Sequence, residues 1–310
     1  MARKVAVLAG LAAIVAIAGF AVWKHSPAPP DTAANEPASG YAAQLLPARP
    51  RMVLPVVALE PAALQKKVAA FHDLKSRAKG GERVAQRALA ETYATCFSAR
   101  RTAEALARGE VTGVLSASPP DMVAVALQIV AKRIADCQAV GDRDLFPLID
   151  KWYGEAARNG DLLAQMELTS RGLQTLDPAA STRLVQRVIA SNDPNTVFTM
   201  GHLILRERPQ TGKLKYDRFL EGPISSVAWE ITACRMGLDC GFGSTVMEDA
   251  CLLSGRCTDQ TYEEFARSYY VPPADSESLD QQIEEITRLF TEQCPPPQVE
   301  RDGVCSLRVE

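Results

Sequence analysis

Trp152-Tyr153-Gly154-Glu155-Ala156-Ala157-Arg158-Asn159-Gly160-Asp161-Leu162-Leu163-Ala164-Gln165 is the stretch on which the fold turns. Before it, the pattern from Leu145 to Ala157 fits a helix; after it, the pattern from Leu162 to Leu173 fits another. Asn159-Gly160-Asp161 turns the chain between them. Gly admits the backbone angles a tight turn needs, and Asp favours a helix start.

The same helical period extends in both directions. Pro61 suits a first turn and is followed by Leu64, Val68, Phe71 and Leu74, until Gly80-Gly81 stops the helix. Ala85, Ala88, Leu89, Thr92, Tyr93 and Cys96 form one stripe. Val123, Ala126, Leu127, Val130, Ile134 and Cys137 form another, entered through Pro119-Pro120-Asp121. Further helices fit Ser181 to Ile189 and Thr196 to Leu205. Thr245 with Glu248, Thr261 with Glu264 and Ser278 with Gln281 read as capping boxes. The last opens a helix with Leu279, Ile283, Ile286 and Phe290 on one side. No segment alternates as a strand does, although Lys213 to Phe219 has room for a short hairpin arm. Aromatic residues make up only 6% of the chain, and a core rich in Ala and Leu suits close-packed helices. The expected fold class is all-α.

Asp121, Asp161 and Asp193 each precede a similar apolar helix, a weak internal period. The quoted segment, completed by Leu168, resembles the turn of a Sel-one-like repeat, the longer relative of the tetratricopeptide repeat. That family's pattern there is an aromatic followed by A-A-x-x-G-D-x-x-A-Q-x-x-L. Fainter copies run from Lys79-Gly80-Gly81 through Ala85, Leu89 and Tyr93, and from Ala190 to Gly201. The resemblance covers Ala78 to Leu205. It implies a solenoid-like body with a concave face that binds other proteins.

Met1 to Lys24 reads as a membrane segment. Arg3 and Lys4 precede an uncharged run from Val5 to Trp23, and Lys24 closes it. As a helix that run spans ~28 Å, close to a bilayer's hydrocarbon thickness. It serves as an uncleaved anchor, with Trp23 at the interface, or as a signal cleaved after Ala16-Ile17-Ala18. No Cys follows it, which excludes a lipoprotein anchor. Arg3 and Lys4 stay on the inner side, so the rest of the chain is expected in the periplasm. Residues 25–60 are rich in Pro and Ala and read as an extended spacer, with apolar Met52 to Leu59 able to lie on the folded domain. The body divides in expectation into a helical-repeat domain, 61–222, and a Cys-rich helical subdomain, 223–310.

Eight cysteines lie beyond the membrane segment: Cys96, Cys137, Cys234, Cys240, Cys251, Cys257, Cys294 and Cys305. An even number in an exported chain predicts disulfides. No C-x-x-C pair suggests zinc or haem. Cys294 and Cys305 flank a Pro-rich loop and pair most economically. The four central cysteines are symmetric about one midpoint. A helical hairpin would nest Cys234 with Cys257 and Cys240 with Cys251; a laddered pairing, Cys234 with Cys251 and Cys240 with Cys257, remains open. Cys96 and Cys137 are left for each other. In the implied repeat, equivalent helices also bring their ends together.

Beyond Lys24 there are 31 basic residues against 37 acidic ones. That balance argues against nucleic-acid binding and gives no pull toward anionic lipid. His25, His72 and His202 have no second ligand at metal spacing. Thr211-Gly212-Lys213 fails as a phosphate loop, because Glu207 and Leu214 stand where Gly and Ser/Thr are needed. Glu263-Glu264 and Glu284-Glu285 are sequence neighbours on helices and point to different faces. No catalytic, cofactor or metal residues are expected. The expectation is a non-catalytic adaptor that binds another envelope protein through a helical-repeat surface. A module for a small envelope ligand, such as a peptide or peptidoglycan fragment, is the alternative. A cell-wall hydrolase comes third.

Overall fold

The computed structural model describes residues 54, 57, 59–108, 119–172, 177–207 and 216–293. These residues hold eleven α-helices and no strand. The expected all-α class is what the described residues adopt. In chain order the helices are α1 (Pro61–Lys79), α2 (Arg83–Ala107), α3 (Pro120–Asp136), α4 (Phe146–Arg158), α5 (Leu162–Ser170) and α6 (Pro178–Ser191). They continue with α7 (Pro194–Glu207), α8 (Gly222–Arg235), α9 (Thr245–Ser254), α10 (Tyr262–Tyr269) and α11 (Ser276–Gln293). Among the described residues no helix is long and apolar enough to cross a membrane. The expected membrane segment, most of the spacer, Thr211-Gly212-Lys213 and the Cys294 and Cys305 positions lie outside them.

The stretch quoted first forms α4, a turn and α5. Gly160 sits at φ +85° in that turn, where a side chain would be strained. Asp161 caps α5, its Oδ1 accepting from the Ala164 N–H at 2.9 Å. Asp193 caps locally through the Asn195 N–H, 3.0 Å away. Asp121 instead lies inside the first turn of α3, after Pro120. The helix expected to reach Leu173 ends at Ser170.

Two large cores divide the molecule. The first gathers Phe71, Leu89, Tyr93, Leu145, Ile149, Trp152 and Leu168 from α1, α2, α4 and α5. The second gathers Met166, Val188, Met200, Trp229, Phe265, Ile283 and Phe290 from α5 through α11. A small third core joins Leu106, Ala126 and Cys251, with Leu54 from the spacer packed on it. The expected boundary between residues 222 and 223 is therefore not a seam. It falls in the first turn of α8, whose contact with α7 is the most extensive among the described helices. The sequence analysis picks out no helix at this position. Every residue from Ser225 to Ala233 is buried, so α8 has no polar stripe to mark it. Trp229 alone, fully buried, contributes about 3 kcal/mol of apolar burial. Its Nε1 donates to the Phe219 carbonyl at 2.8 Å. That carbonyl belongs to a 3-10 turn, Asp217–Phe219, at the end of the expected hairpin arm, whose first residues, 213–215, lie outside the described ones.

The capping boxes fare unequally. Thr261 and Glu264 form one at α10. At α9 the cap is Ser244, one residue earlier than expected, and Glu248 turns away to Arg133 and Lys132. Ser278 lies inside α11, which begins at Ser276. In each miss the side chain found another partner or the helix began one or two residues sooner.

The structure pairs Cys96 with Cys137, their Cα atoms 5.5 Å apart. It then joins Cys234 to Cys240 and Cys251 to Cys257. Neither the nested nor the laddered arrangement occurs. No hairpin turns about the midpoint, because Gly237 at φ +106° and Gly255 at φ +70° turn the chain back directly after α8 and α9. Each turn brings a cysteine onto the one six residues before it.

Candidate binding cleft

The site begins at the contact of α7 with α8. Gly201 has no side chain, and a Cβ there would stand 2.5 Å from Glu230 Cγ and 2.6 Å from the Ser226 carbonyl. Glycine lets the two backbones close to that distance. Ser226 Oγ then donates to the Gly201 carbonyl at 2.8 Å. The next residue, His202, comes to lie beside Glu230, with Nε2 3.5 Å from Oε1.

Glu230 is 3% exposed. Its Oε2 accepts a hydrogen bond from the Tyr262 hydroxyl of α10. Burial pushes its carboxyl pKa up to about 7, against the opposing pull of the Tyr262 and Ser226 hydroxyls. Burial and the neighbouring Glu230 charge together hold the Tyr262 phenol well above its ordinary value. Phe198 completes the cluster, edge-on to His202 at 4.8 Å and to Tyr262 at 5.3 Å between ring centroids.

Above this cluster opens a cleft of about 600 Å³. One side comes from the first core: Arg87 and Glu91 of α2, Tyr153 of α4, and Leu163 and Glu167 of α5. The other comes from the second: Phe198 and His202 of α7, Asp249 and Leu253 of α9, Tyr262, and the following Tyr270. Leu238 and Asp239 reach in from the segment closed by Cys234–Cys240. The disulfide thus fixes two residues of the cleft.

Four carboxylates line the cleft, Glu91, Glu167, Asp239 and Asp249, against one guanidinium, Arg87. Arg87 bridges Glu91 at 2.7 Å and Asp161 at 3.1 Å. Asp161 therefore caps α5 and anchors Arg87 together. Arg133 of α3 binds Asp249 at 2.7 Å and Glu248 at 3.3 Å, tying α9 to the first half of the molecule. The arrangement can bury an apolar group against Leu163, Phe198 and Leu253. Glu230 can exchange a proton near neutrality. Among the described residues no three His, Cys, Asp or Glu side chains converge as metal ligands do.

Sequence reasoning joined Cys96 to Cys137 but not the central cysteines as they pair, and it set His202 aside as an ordinary surface or core histidine. The structure puts His202 at the cleft floor, while His72 is exposed on α1. Glu230, Tyr262 and Gly201 drew no attention in the sequence. One signal was present: Glu230 is the single charge between Ile224 and Cys234, in an otherwise apolar and small-residue run. The acidic pairs do not assemble a dyad. Glu263 is bound by Arg235 and Arg267, and Glu264 serves the α10 cap.

No family model, curated protein or solved structure matches this chain. Its function must be read from the cleft.

Proposed function

We propose that this protein is a non-catalytic adaptor of the bacterial cell envelope, holding a segment of another envelope protein in the cleft between its two cores. Val5–Trp23 anchors the chain in the inner membrane, and the disulfide-bearing body stands in the periplasm. In this reading the α4–α5 hairpin is a Sel-one-like unit and the cleft is the concave side of a solenoid-like stack. The observation that carries the proposal is the cleft itself. It is about 600 Å³, open, and walled by aromatic and acidic side chains from both cores. Disulfides in the same body support an oxidising compartment.

The test is a photo-cross-linking residue at Thr199, inside the cleft, in the full chain in its native membrane. One discrete protein adduct is expected. A cross-linker at exposed Ala124 on α3, outside the cleft, should not yield it, and Leu253→Trp, which fills the cleft, should diminish it. No discrete adduct at Thr199, or the same adducts from Ala124, would overturn the proposal. The cleft volume also lies within the range of small-ligand sites, which keeps a small envelope ligand as the second reading.

A further inference from the structure

We infer that Cys234–Cys240 is a thiol–disulfide exchange site for a protein dithiol, and that opening its ring reshapes the cleft wall. The inference goes beyond the adaptor reading and does not depend on what the cleft holds. Exchange needs access to a sulfur, and the three disulfides differ in it. Cys96 and Cys137 are both buried in the first core. Cys251–Cys257 packs in the third core, where the Met122 carbonyl lies 3.4 Å from Cys257 Sγ and repels an approaching thiolate. Cys234 and Cys240 instead border an open cavity of about 390 Å³. Leu238 and Asp239 border this cavity and the cleft alike, so the ring is a wall between the two. A second observation points to a protein as the donor. Phe242, two residues beyond Cys240, is 72% exposed. A large apolar side chain left in water beside a reachable disulfide gives a docking protein something to bury, which a small thiol cannot use.

The exchange runs in two steps. A thiolate of the donor attacks Cys234 Sγ, forms a mixed disulfide and expels Cys240 as a thiolate. Cys234 is the penultimate residue of α8, where the helix dipole disfavours a thiolate, so Cys240 is the better leaving group. The donor's second thiolate then attacks the donor sulfur of the mixed bond and expels Cys234. The donor ends as a disulfide, and two electrons pass to this chain. Both cysteines end as thiols, taking through solvent the two protons that the donor's thiols gave up. Cys240 also touches the cleft floor, because its carbonyl accepts from the Tyr262 N–H at 2.9 Å. Tyr262 opens α10 and holds Glu230. Opening the ring therefore loosens Leu238 and Asp239 in the wall and Tyr262 in the floor together.

The test uses the full chain, purified oxidised in detergent, with reduced thioredoxin as the dithiol. Samples are quenched in acid over time, alkylated and mapped by peptide mass. Cys234 and Cys240 should become labelled at least about tenfold faster than Cys96 with Cys137 or Cys251 with Cys257. Phe242→Ser should slow thioredoxin at least about threefold and leave the rate with dithiothreitol unchanged, which also shows that the variant is folded. Once the ring is open, hydrogen exchange should speed at least about tenfold at the Leu238, Asp239 and Tyr262 amides and stay unchanged in α4. Reduction of all three rings at one rate, or of Cys234–Cys240 after the others, would overturn the exchange site. Equal thioredoxin rates for the native chain and Phe242→Ser would overturn the protein dithiol and assign the ring to small thiols. Unchanged exchange at the Tyr262 amide would overturn the link to the cleft.

Discussion

Gly201 and Glu230 decide the same contact from opposite helices. In a helix interior Ala is better than Gly by about 1 kcal/mol, so Gly201→Ala would stabilise an unobstructed α7. Here the new Cβ meets the Ser226 carbonyl, which is backbone and cannot swing aside. Overpacking costs typically 1–3 kcal/mol, and a collision at this range belongs at the upper end. We expect Gly201→Ala to destabilise by about 2 kcal/mol in urea unfolding; a gain in stability would show that the close approach is not needed. Glu230 makes a second prediction. Its carboxyl is raised from 4.5 to about 7 by burial, so the unfolded chain gives up the proton first as pH rises. The stability this provides is whole below about pH 4.5 and is lost by about pH 7, a change of about 3 kcal/mol. Arg235 and Arg267 hold Glu263 below the usual carboxylate range, and Lys75 does the same for Asp142. Those contributions run the other way and fade only in acid, outside the Glu230 window. The thermal midpoint of the native protein should fall between pH 5 and pH 7. That of Glu230→Gln should stay nearly level, and a parallel fall in both proteins would assign the effect to another group.

The disulfides act on elements, and their ring sizes separate their roles. Cys96–Cys137 links the middle of α2 to the end of α3 across 41 residues. In the chain-entropy model that restraint is worth roughly 4 kcal/mol, whereas the six-residue separation of Cys234–Cys240 is worth roughly 2 kcal/mol. Both Cys96 and Cys137 are also buried in the first core, where serine hydroxyls would lack partners. Cys96→Ser with Cys137→Ser should therefore lower the unfolding midpoint more than Cys234→Ser with Cys240→Ser. The second pair should instead impair the cleft, because that ring carries Leu238 and Asp239 into it. Loss of Thr199 cross-linking at nearly native stability is the expected signature. If the short-ring variant unfolds as easily as the other and keeps its adduct, the division of labour fails. A similar local device steadies the loop after Cys137. Asp142 accepts from Lys75 Nζ at 2.8 Å and from the Tyr93 hydroxyl at 2.8 Å, while Arg100 donates to the Val140 and Asp142 carbonyls.

At the scale of the whole molecule, two cores meet along one seam near α5. Leu168 belongs to the first core and Met166 to the second. The cleft lies along that seam, with the Arg133 ion pairs to Glu248 and Asp249 bridging α3 and α9. Arg133 is mostly buried there, so removing it leaves two carboxylates without their guanidinium. Arg133→Met should loosen the two halves and raise protease sensitivity between α9 and α10 before global unfolding. Unchanged proteolysis would mean that α5 and α7 alone hold the halves together. Topology supplies the remaining prediction. An export-dependent reporter fused after Glu310 should be active under the proposed topology, in which Arg3 and Lys4 retain the N-terminus inside. Activity confined to a cytoplasmic reporter would remove the envelope address and the adaptor reading with it.

What the amino-acid sequence determined by itself was local. Helical period, Gly stops, the Asp161 cap and the Thr261–Glu264 box depend on residues within a turn or two of one another, and the chain carries them wherever it goes. Tertiary structure decided the rest. It buried α8 on all sides, which erased the polar stripe by which a helix is recognised, and it made the 222/223 boundary a core contact. It chose the two six-residue disulfide rings, because the turns at Gly237 and Gly255 bend back at once, which cysteine spacing does not reveal. Glu230, His202 and Tyr262 lie far apart in the chain and meet only because Gly201 lets α7 and α8 close on each other. A raised carboxyl pKa is a property of surroundings, and surroundings exist only once distant helices have packed.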